Sequence, residues 1–180
     1  MKTIETKRLI LRPFLETDLE DLYEYAKNPN VGPNAGWQPH ENIEKSKDIL
    51  NSFIEQGEVL AIVWKENNKV VGSLGLHNDQ LRNTDKVKML GYVLSQDYWG
   101  REIVPEAVKA VLNYAFTDLD LYMVSVHHYP FNQRSKRVIE KCGFTYEGTL
   151  RHCFKVFSGE IYDLVCYSMT KDEWEKLYIK

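Results

Sequence analysis

The chain is poor in the residues that define several common classes of protein. Its 180 residues include only three cysteines, Cys142, Cys153 and Cys166, which are far apart. They form no CxxC pair and are not spaced with histidines as zinc ligands are. We therefore expect neither a disulfide framework nor a zinc site. Reduced thiols in a cytoplasmic protein are the simplest interpretation.

Charge and hydropathy exclude further classes. The formal net charge is only -3, and lysines alternate with acids, so no basic tail is present for nucleic acid or an anionic membrane. No apolar run approaches the roughly 20 residues that span a bilayer. The first five residues lack the apolar core of a signal peptide. The sequence thus predicts one cytoplasmic domain over residues 1–180, with no membrane or nucleic-acid partner.

Hydrophobic periodicity predicts a mixed α/β fold. Apolar residues at helical spacing predict about four helices. These lie near 19–26, 43–55, 104–116 and 132–141. Short apolar or alternating runs predict about seven strands. These lie near 9–13, 59–64, 70–77, 86–94, 121–128, 144–152 and 161–169. We expect a mixed, mostly antiparallel sheet, with a parallel crossover where strand, long helix and strand follow one another.

The turn that leads into the long helix is the most informative segment. Residues 98–107 read YWGREIVPEA, with Gly100 in the turn and Pro105 in the first helical turn. The first N–H groups of a helix have no intrahelical partner and the helix dipole is positive there, so such a turn suits a phosphate group. Gly100 would allow close approach of the backbone. One glycine before a helix is common, so this turn needs support from other motifs.

That support comes from a series of motifs in fixed order. They are TKRLILRP at 6–13, LGYVL at 90–94, WGR at 99–101, EA at 106–107, NQRS at 132–135, KCGFTYEG at 141–148, YD at 162–163 and YSM at 167–169. Together they resemble the GCN5-related N-acetyltransferase (GNAT) superfamily. The closer resemblance is to its branch named for the ribosomal-protein acetyltransferases RimJ and RimL. This implies the GNAT fold, acetyl-CoA as cosubstrate without a metal, and a primary amine as acceptor.

The resemblance also implies which residues contact the coenzyme. The expected contacts are Val93, Leu94, Trp99, Gly100, Arg101, Glu102, Ile103, Val104, Asn132 and Ser135. A bulge is expected at Gly91-Tyr92, where backbone groups would pair with the pantetheine arm. An N–H near Tyr92 would stabilise the tetrahedral oxyanion. The family has glycine or alanine where this chain has Glu102, and a carboxylate there would disfavour a diphosphate unless it points away.

Two polar residues at the start of the fourth helix have alternative roles. Asn132 and Ser135 lie three apart and share one helix face. Asn is a favoured N-cap residue, so helix capping alone would explain Asn132. The resemblance adds a coenzyme contact for Asn132. It makes Ser135 the residue that protonates the leaving thiolate.

The acceptor side is less determined. Trp37, His77 and Asp163 are the expected substrate contacts, while the general base stays open among His77, His128, Glu106 and Asp163. The acceptor is a protein N-terminal amine or a small amine, and the resemblance leaves a homodimer open. A non-catalytic acyl-CoA sensor or partner-binding module with the same fold is the alternative. A hydrolase using Ser135 or Cys142 is disfavoured, because no GxSxG elbow occurs.

Overall fold

The computed structural model describes residues 1–82 and 84–179. Over these residues the strands are β1 (Ile4–Glu5), β2 (Leu9–Pro13), β3 (Val59–Trp64), β4 (Lys69–Asn78), β5 (Val87–Leu94), β6 (Met123–His128), β7 (Thr145–Lys155) and β8 (Ile161–Thr170). The α helices are α1 (Leu19–Ala26), α2 (Ile43–Gln56), α3 (Ile103–Thr117), α4 (Gln133–Lys141) and α5 (Lys171–Tyr178). None of these described helices is long and apolar enough to cross a membrane.

The strands form one sheet in the order β1-β2-β3-β4-β5-β6-β8-β7. β5 and β6 pair in parallel, whereas β1–β2, β2–β3, β3–β4, β6–β8 and β7–β8 pair antiparallel. The predicted mixed, mostly antiparallel sheet is therefore confirmed. So is the parallel crossover through the long helix.

Two elements were not predicted from the sequence. β1 has only two residues and exists through its pairing with β2, so it has no local periodicity to find. α5 begins at the N-cap Thr170, whose hydroxyl accepts from the Glu173 N–H while the Glu173 carboxylate accepts from the Thr170 N–H. This capping box was a readable signal in the sequence. The described residues thus contain eight strands and five α helices rather than seven and four.

The described residues divide into two compact units. The first contains Met1–Gly75 and Tyr92–Ala107. Its strand β3 is buried along its whole length, as expected for an apolar run of strand length inside a sheet. Its helix α2 is capped by Asn42, which accepts from the Lys45 N–H at 2.9 Å. The helix ends at Gly57, whose φ of 65° is the left-handed C-terminal stop that was predicted.

The second unit contains Leu76–Gly91 and the chain from Val108 onward. Most of α3 lies in it, and the apolar residues at helical spacing are buried as predicted. Val108, Val111, Leu112, Ala115 and Phe116 are all 0% exposed.

A polar network centred on the buried Asp79 lies within the second unit. The Asp79 carboxylate accepts from the Ser125 hydroxyl, the Leu81 N–H and the Arg82 guanidinium, each at 2.7 Å. Arg82 also donates to Glu147 at 2.6 Å. Burial raises the pKa of Asp79, but the bonds from Ser125, Leu81 and Arg82 outweigh that effect and leave it below its ordinary value. The network joins the turn after β4 to strands β6 and β7.

Candidate active site

The segment Trp99–Val104, which leads from the turn after β5 into the first two residues of α3, is called the glycine turn below. Gly100 has a φ of 77° and Glu102 a φ of 58°, so both adopt the left-handed conformation. A Cβ on Gly100 would meet nothing within 4 Å, so open space surrounds it and only the backbone angle requires glycine. Glu102 is exposed and takes up the same conformation with a side chain that disfavours it.

The hydrogen bonds of the glycine turn limit which amides remain for a ligand. The Trp99 N–H donates to the Gln96 carbonyl at 3.1 Å, so one of the expected donors is engaged within the chain. The Glu106 N–H donates to the Glu102 carbonyl at 3.3 Å and closes the first turn of α3. Helix geometry gives Ile103 and Val104 no intrahelical acceptor. These two amides are therefore the candidates at the start of α3 for binding an anion, and that role stays a prediction.

Arg8, the residue before β2, binds the glycine turn directly. Its guanidinium donates from Nη1 to the Arg101 carbonyl at 2.9 Å and from Nη2 to the Glu102 carbonyl at 3.2 Å. Its Nε donates to Glu106 Oε2 at 2.6 Å, and its backbone N–H donates to Glu106 Oε1 at 3.0 Å. The Thr6 hydroxyl donates to the same Oε1 at 2.6 Å. The segment before β2 therefore holds both the turn and the first helical turn of α3.

The contacts with Arg8 and Thr6 determine whether Glu106 could act as a general base. Burial raises the pKa of Glu106. The hydrogen bonds from Thr6 and Arg8 and the charge of Arg8 have the larger, opposite effect, so the pKa lies below its ordinary value. Both carboxylate oxygens already accept hydrogen bonds. A general base for an ammonium needs a pKa nearer neutrality and an available oxygen. The geometry therefore makes Glu106 a structural residue and a poor base.

The side chains of the glycine turn also have partners in the first unit. The Trp99 indole N–H donates to the Leu94 carbonyl at 3.0 Å, which folds the ring back on the end of β5. The Arg101 guanidinium lies over the Tyr98 ring, 5.0 Å from its centroid. Arg101 is exposed, so both the cation–π contact and the surrounding water stabilise its guanidinium in this position.

The end of β5 carries the residues expected to contact pantetheine. Tyr92 and Val93 are half-buried and Leu94 is buried. The Val93 carbonyl faces Gly72 so closely that a Cβ on Gly72 would lie 2.3 Å from it. The bulge expected at Gly91-Tyr92 and the oxyanion role of the Tyr92 N–H stay predictions.

Within the second unit, β5 and β6 pair only at their beginnings. The parallel register runs from Val87↔Met123 to Met89↔Ser125 and then ends, although both strands continue. β6 keeps its other partner, β8, up to His128↔Val165. Over the described residues, the last three positions of β6 therefore pair on one side only.

The start of α4 shows that capping is one role of Asn132. Its Oδ1 accepts from the Ser135 N–H at 3.0 Å, the geometry of an N-cap. Ser135 lies in the first helical turn and is half-buried. The capping interpretation is thus supported for Asn132. A coenzyme contact by Asn132 and proton donation by Ser135 stay predictions.

His128 is one of the candidate bases and is only 5% exposed. Its Nδ1 lies 2.8 Å from the Tyr129 carbonyl. A carbonyl only accepts, so Nδ1 carries a proton and donates it to this bond. Nε2 is buried without a hydrogen-bond partner among the residues described. His128 therefore keeps one ring nitrogen that the described residues do not hydrogen-bond.

The three expected acceptor contacts lie in different surroundings. Asp163 Oδ1 accepts from the His152 N–H at 2.8 Å, which stabilises an irregular stretch of β7 where His152 has a φ of 48°. Trp37 packs against the apolar core of the first unit, and its ring lies 5.3 Å from that of His40. The His77 ring lies beside Gly91, where a Cβ would be 3.5 Å away. Trp37 and Asp163 have structural partners, and substrate contact by all three stays a prediction.

Sequence reasoning assigned no role to Arg8 or Asp79. Arg8 belonged to the TKRLILRP motif, and Glu106 to the EA motif, but 98 positions separate them and no local pattern links them. Among the described residues, no group of three or more His, Cys, Asp or Glu side chains is placed to hold a metal ion.

The chain is similar in sequence and in fold to known acetyltransferases. Residues 8–145 match the family described as Acetyltransferase (GNAT) domain. The uncharacterized N-acetyltransferase p20 of Bacillus licheniformis is 28% identical over 180 residues, covering 97% of this chain and 99% of that protein. A GNAT-family acetyltransferase structure from Bacillus anthracis superposes with a TM-score of 0.86 at 24% identity, covering 96% of this chain and 100% of that one. Ribosomal-protein-S5-alanine acetyltransferase from Vibrio fischeri gives a TM-score of 0.77 at 22% identity, covering 97% and 99%.

The chain combines a mostly antiparallel sheet that has one parallel strand pair with a long helix entered through a left-handed glycine. The family match spans most of the chain, and the chain accordingly belongs to the GNAT family. It is an acetyl-CoA-dependent N-acetyltransferase.

Proposed function

We propose that this chain moves acetyl from acetyl-CoA to a primary amine by direct attack through a tetrahedral intermediate. A single N-acetyltransferase domain over residues 1–180 carries the reaction. The observation that supports this most is the glycine turn. Its two left-handed residues deliver the chain into α3 with the Ile103 and Val104 amides available to a diphosphate. The open space around Gly100 fits an approaching ligand.

The proposed roles follow the chain from donor to leaving group. The glycine turn, mainly Ile103 and Val104, binds the diphosphate, and the backbone of Val93 and Leu94 pairs with pantetheine. The Tyr92 N–H stabilises the oxyanion that forms when the amine attacks the thioester. Ser135 donates a proton to the departing thiolate, and Asn132 contacts the coenzyme in addition to capping α4.

The proposed acceptor is a protein N-terminal amine or a small amine. The structural neighbour from Vibrio fischeri is a ribosomal-protein acetyltransferase, which favours the first class. We propose that Trp37, His77 and Asp163 contact the acceptor. Glu106 is not proposed as the base, because its pKa is lowered and its oxygens are engaged.

The experiment is an acceptor panel of N-terminal peptides and small amines, read as release of free coenzyme thiol. Thiol should appear only when acetyl-CoA and a suitable amine are both present. The Ser135→Ala variant should lose about 10²-fold in kcat, the lower end of general acid catalysis. Ser158→Ala is the matched control, because Ser158 lies on an exposed turn and bonds Glu160.

Three other results of this assay would contradict the proposed acid or the proposed reaction. Full turnover by Ser135→Ala would remove Ser135 from the chemistry. Thiol release without an amine would indicate a hydrolase instead. Binding of acetyl-CoA with no turnover on any amine would support the alternative of a non-catalytic acyl-CoA sensor, for which the exposed carboxylate of Glu102 is the favouring feature.

A further inference from the structure

The Arg8 side chain, just before β2, holds the backbone of the glycine turn. Its guanidinium binds two successive carbonyls, those of Arg101 and Glu102, at 2.9 and 3.2 Å. No cis peptide occurs among the described residues. In a trans peptide unit the C=O and the following N–H point in opposite directions. The bonds from Arg8 therefore turn the Glu102 and Ile103 N–H groups away from the guanidinium.

Arg8 is itself fixed by a second set of bonds. Glu106 accepts from its Nε at 2.6 Å and from its backbone N–H at 3.0 Å, while the Thr6 hydroxyl binds the same carboxylate at 2.6 Å. The guanidinium also lies over the Trp64 ring, 5.4 Å from its centroid. A guanidinium presents its donors in a rigid planar fork, so anchoring Nε sets the direction of both terminal nitrogens.

The bound conformation is one that the turn would not favour alone. Glu102 has a φ of 58°, and a non-glycine residue keeps that angle only where its surroundings stabilise it. Arg8 binds the carbonyl of Glu102 itself and the one before it. The arginine thus supplies a local reason for the left-handed residue that precedes α3.

We propose that Arg8 is a positioning residue for diphosphate binding: anchored by Glu106, it orients the amides of the glycine turn without touching the coenzyme. This rests on the proposed function, since the ligand is the diphosphate of acetyl-CoA. Loss of Arg8 should weaken the part of donor binding that depends on the diphosphate. It should leave the reaction of the thioester itself unchanged.

The test compares two donors, acetyl-CoA and S-acetylpantetheine, which carries the same thioester but no diphosphate. The variants are Arg8→Met and Arg8→Lys, and kcat/KM is read well below saturation so that a weak donor still gives a value. Arg8→Met should lower kcat/KM for acetyl-CoA about tenfold, through KM and not kcat. For S-acetylpantetheine it should change less than twofold. Arg8→Lys, with one ammonium in place of the fork, should fall between.

Arg12→Met is the matched control. Arg12 also forms an arginine–carboxylate pair in the first unit, with Asp18 at 2.7 and 2.8 Å, but its bonds do not reach the glycine turn. It should reduce stability without separating the two donors. Glu106→Gln keeps the shape of the carboxylate and removes its charge. If Arg8→Met does not fold, this variant should show the same donor-selective loss in weaker form.

The outcomes are separable. If Arg8→Met and Glu106→Gln lower kcat/KM equally for both donors, or for neither, Arg8 has only a structural role and the inference is overturned. If the unaltered protein neither binds acetyl-CoA nor uses it with any amine, the proposed function fails first.

Discussion

Glu102 stands in a left-handed conformation that glycine adopts at little steric cost, so Glu102→Gly should stabilise the protein. The left-handed conformation costs a residue with a Cβ about 1–2 kcal/mol. Glycine loses about 0.5–1 kcal/mol more conformational freedom on folding, which offsets part of the gain. The free energy of unfolding should therefore rise by about 0.5–1 kcal/mol. For a chain of this size that raises Tm by about 1–4 °C.

The same substitution should improve coenzyme binding for a separate reason. It removes a carboxylate from the turn proposed to hold a diphosphate, and like charges repel at short range. KM for acetyl-CoA should fall, and the difference from the unaltered protein should shrink at high salt because screening weakens exposed charge interactions.

Glu102→Ala separates the two effects, because it removes the charge but keeps the Cβ. It should share the lower KM without the rise in Tm. The assays are thermal unfolding by circular dichroism and thiol-release kinetics at two salt concentrations. The strain argument is refuted if Glu102→Gly is no more stable than Glu102→Ala. The charge argument is refuted if neither variant changes KM.

Three further predictions concern the rest of the fold. Asp79→Ala removes the buried acceptor of Ser125 and Leu81, whereas Arg82 keeps its bond to Glu147, and should cost about 1–3 kcal/mol in urea unfolding. Because the folded pKa of Asp79 lies below its ordinary value of 3.8, the unaltered protein should keep this advantage above pH 3.8 and lose it as pH falls through the folded pKa; a gap that grew in acid would contradict the assignment. Asn132→Ala should cost about 1 kcal/mol through loss of the cap, whereas Asn132→Ser keeps a capping oxygen and stability. A raised KM for acetyl-CoA in the serine variant, measured at unchanged Tm, would show the coenzyme contact, and an unchanged KM would leave capping as the whole role. Gly72→Ala places a Cβ 2.3 Å from the Val93 carbonyl and should lower the free energy of unfolding by about 1–3 kcal/mol. An unaltered unfolding midpoint would disprove that close approach.

The elements that could be predicted are those whose signal is local. The apolar positions of α3 repeat with the helical period, and the structure buries them because one face of that helix must leave water. The α2 stop at Gly57 and the entry to α3 after Gly100 were readable because left-handed backbone favours glycine. The order of the motifs was enough to indicate the family and hence the sheet.

Other features arise only when distant segments meet. Arg8 and Glu106 are 98 positions apart, and Asp79 and Ser125 are 46 apart, so no window of sequence shows either pair. Glu102 looked like a departure from the family pattern. Only the folded backbone shows that Glu102 also takes a left-handed φ, which glycine adopts more easily than glutamate.

Local periodicity and turn chemistry thus determined which segments become helices and strands, because these depend on neighbours within a few residues. The tertiary structure decided which charges are paired, which amides of the glycine turn are already used and which histidine nitrogen lacks a partner. Those properties depend on burial and on hydrogen bonds between segments, which exist only after the chain has folded.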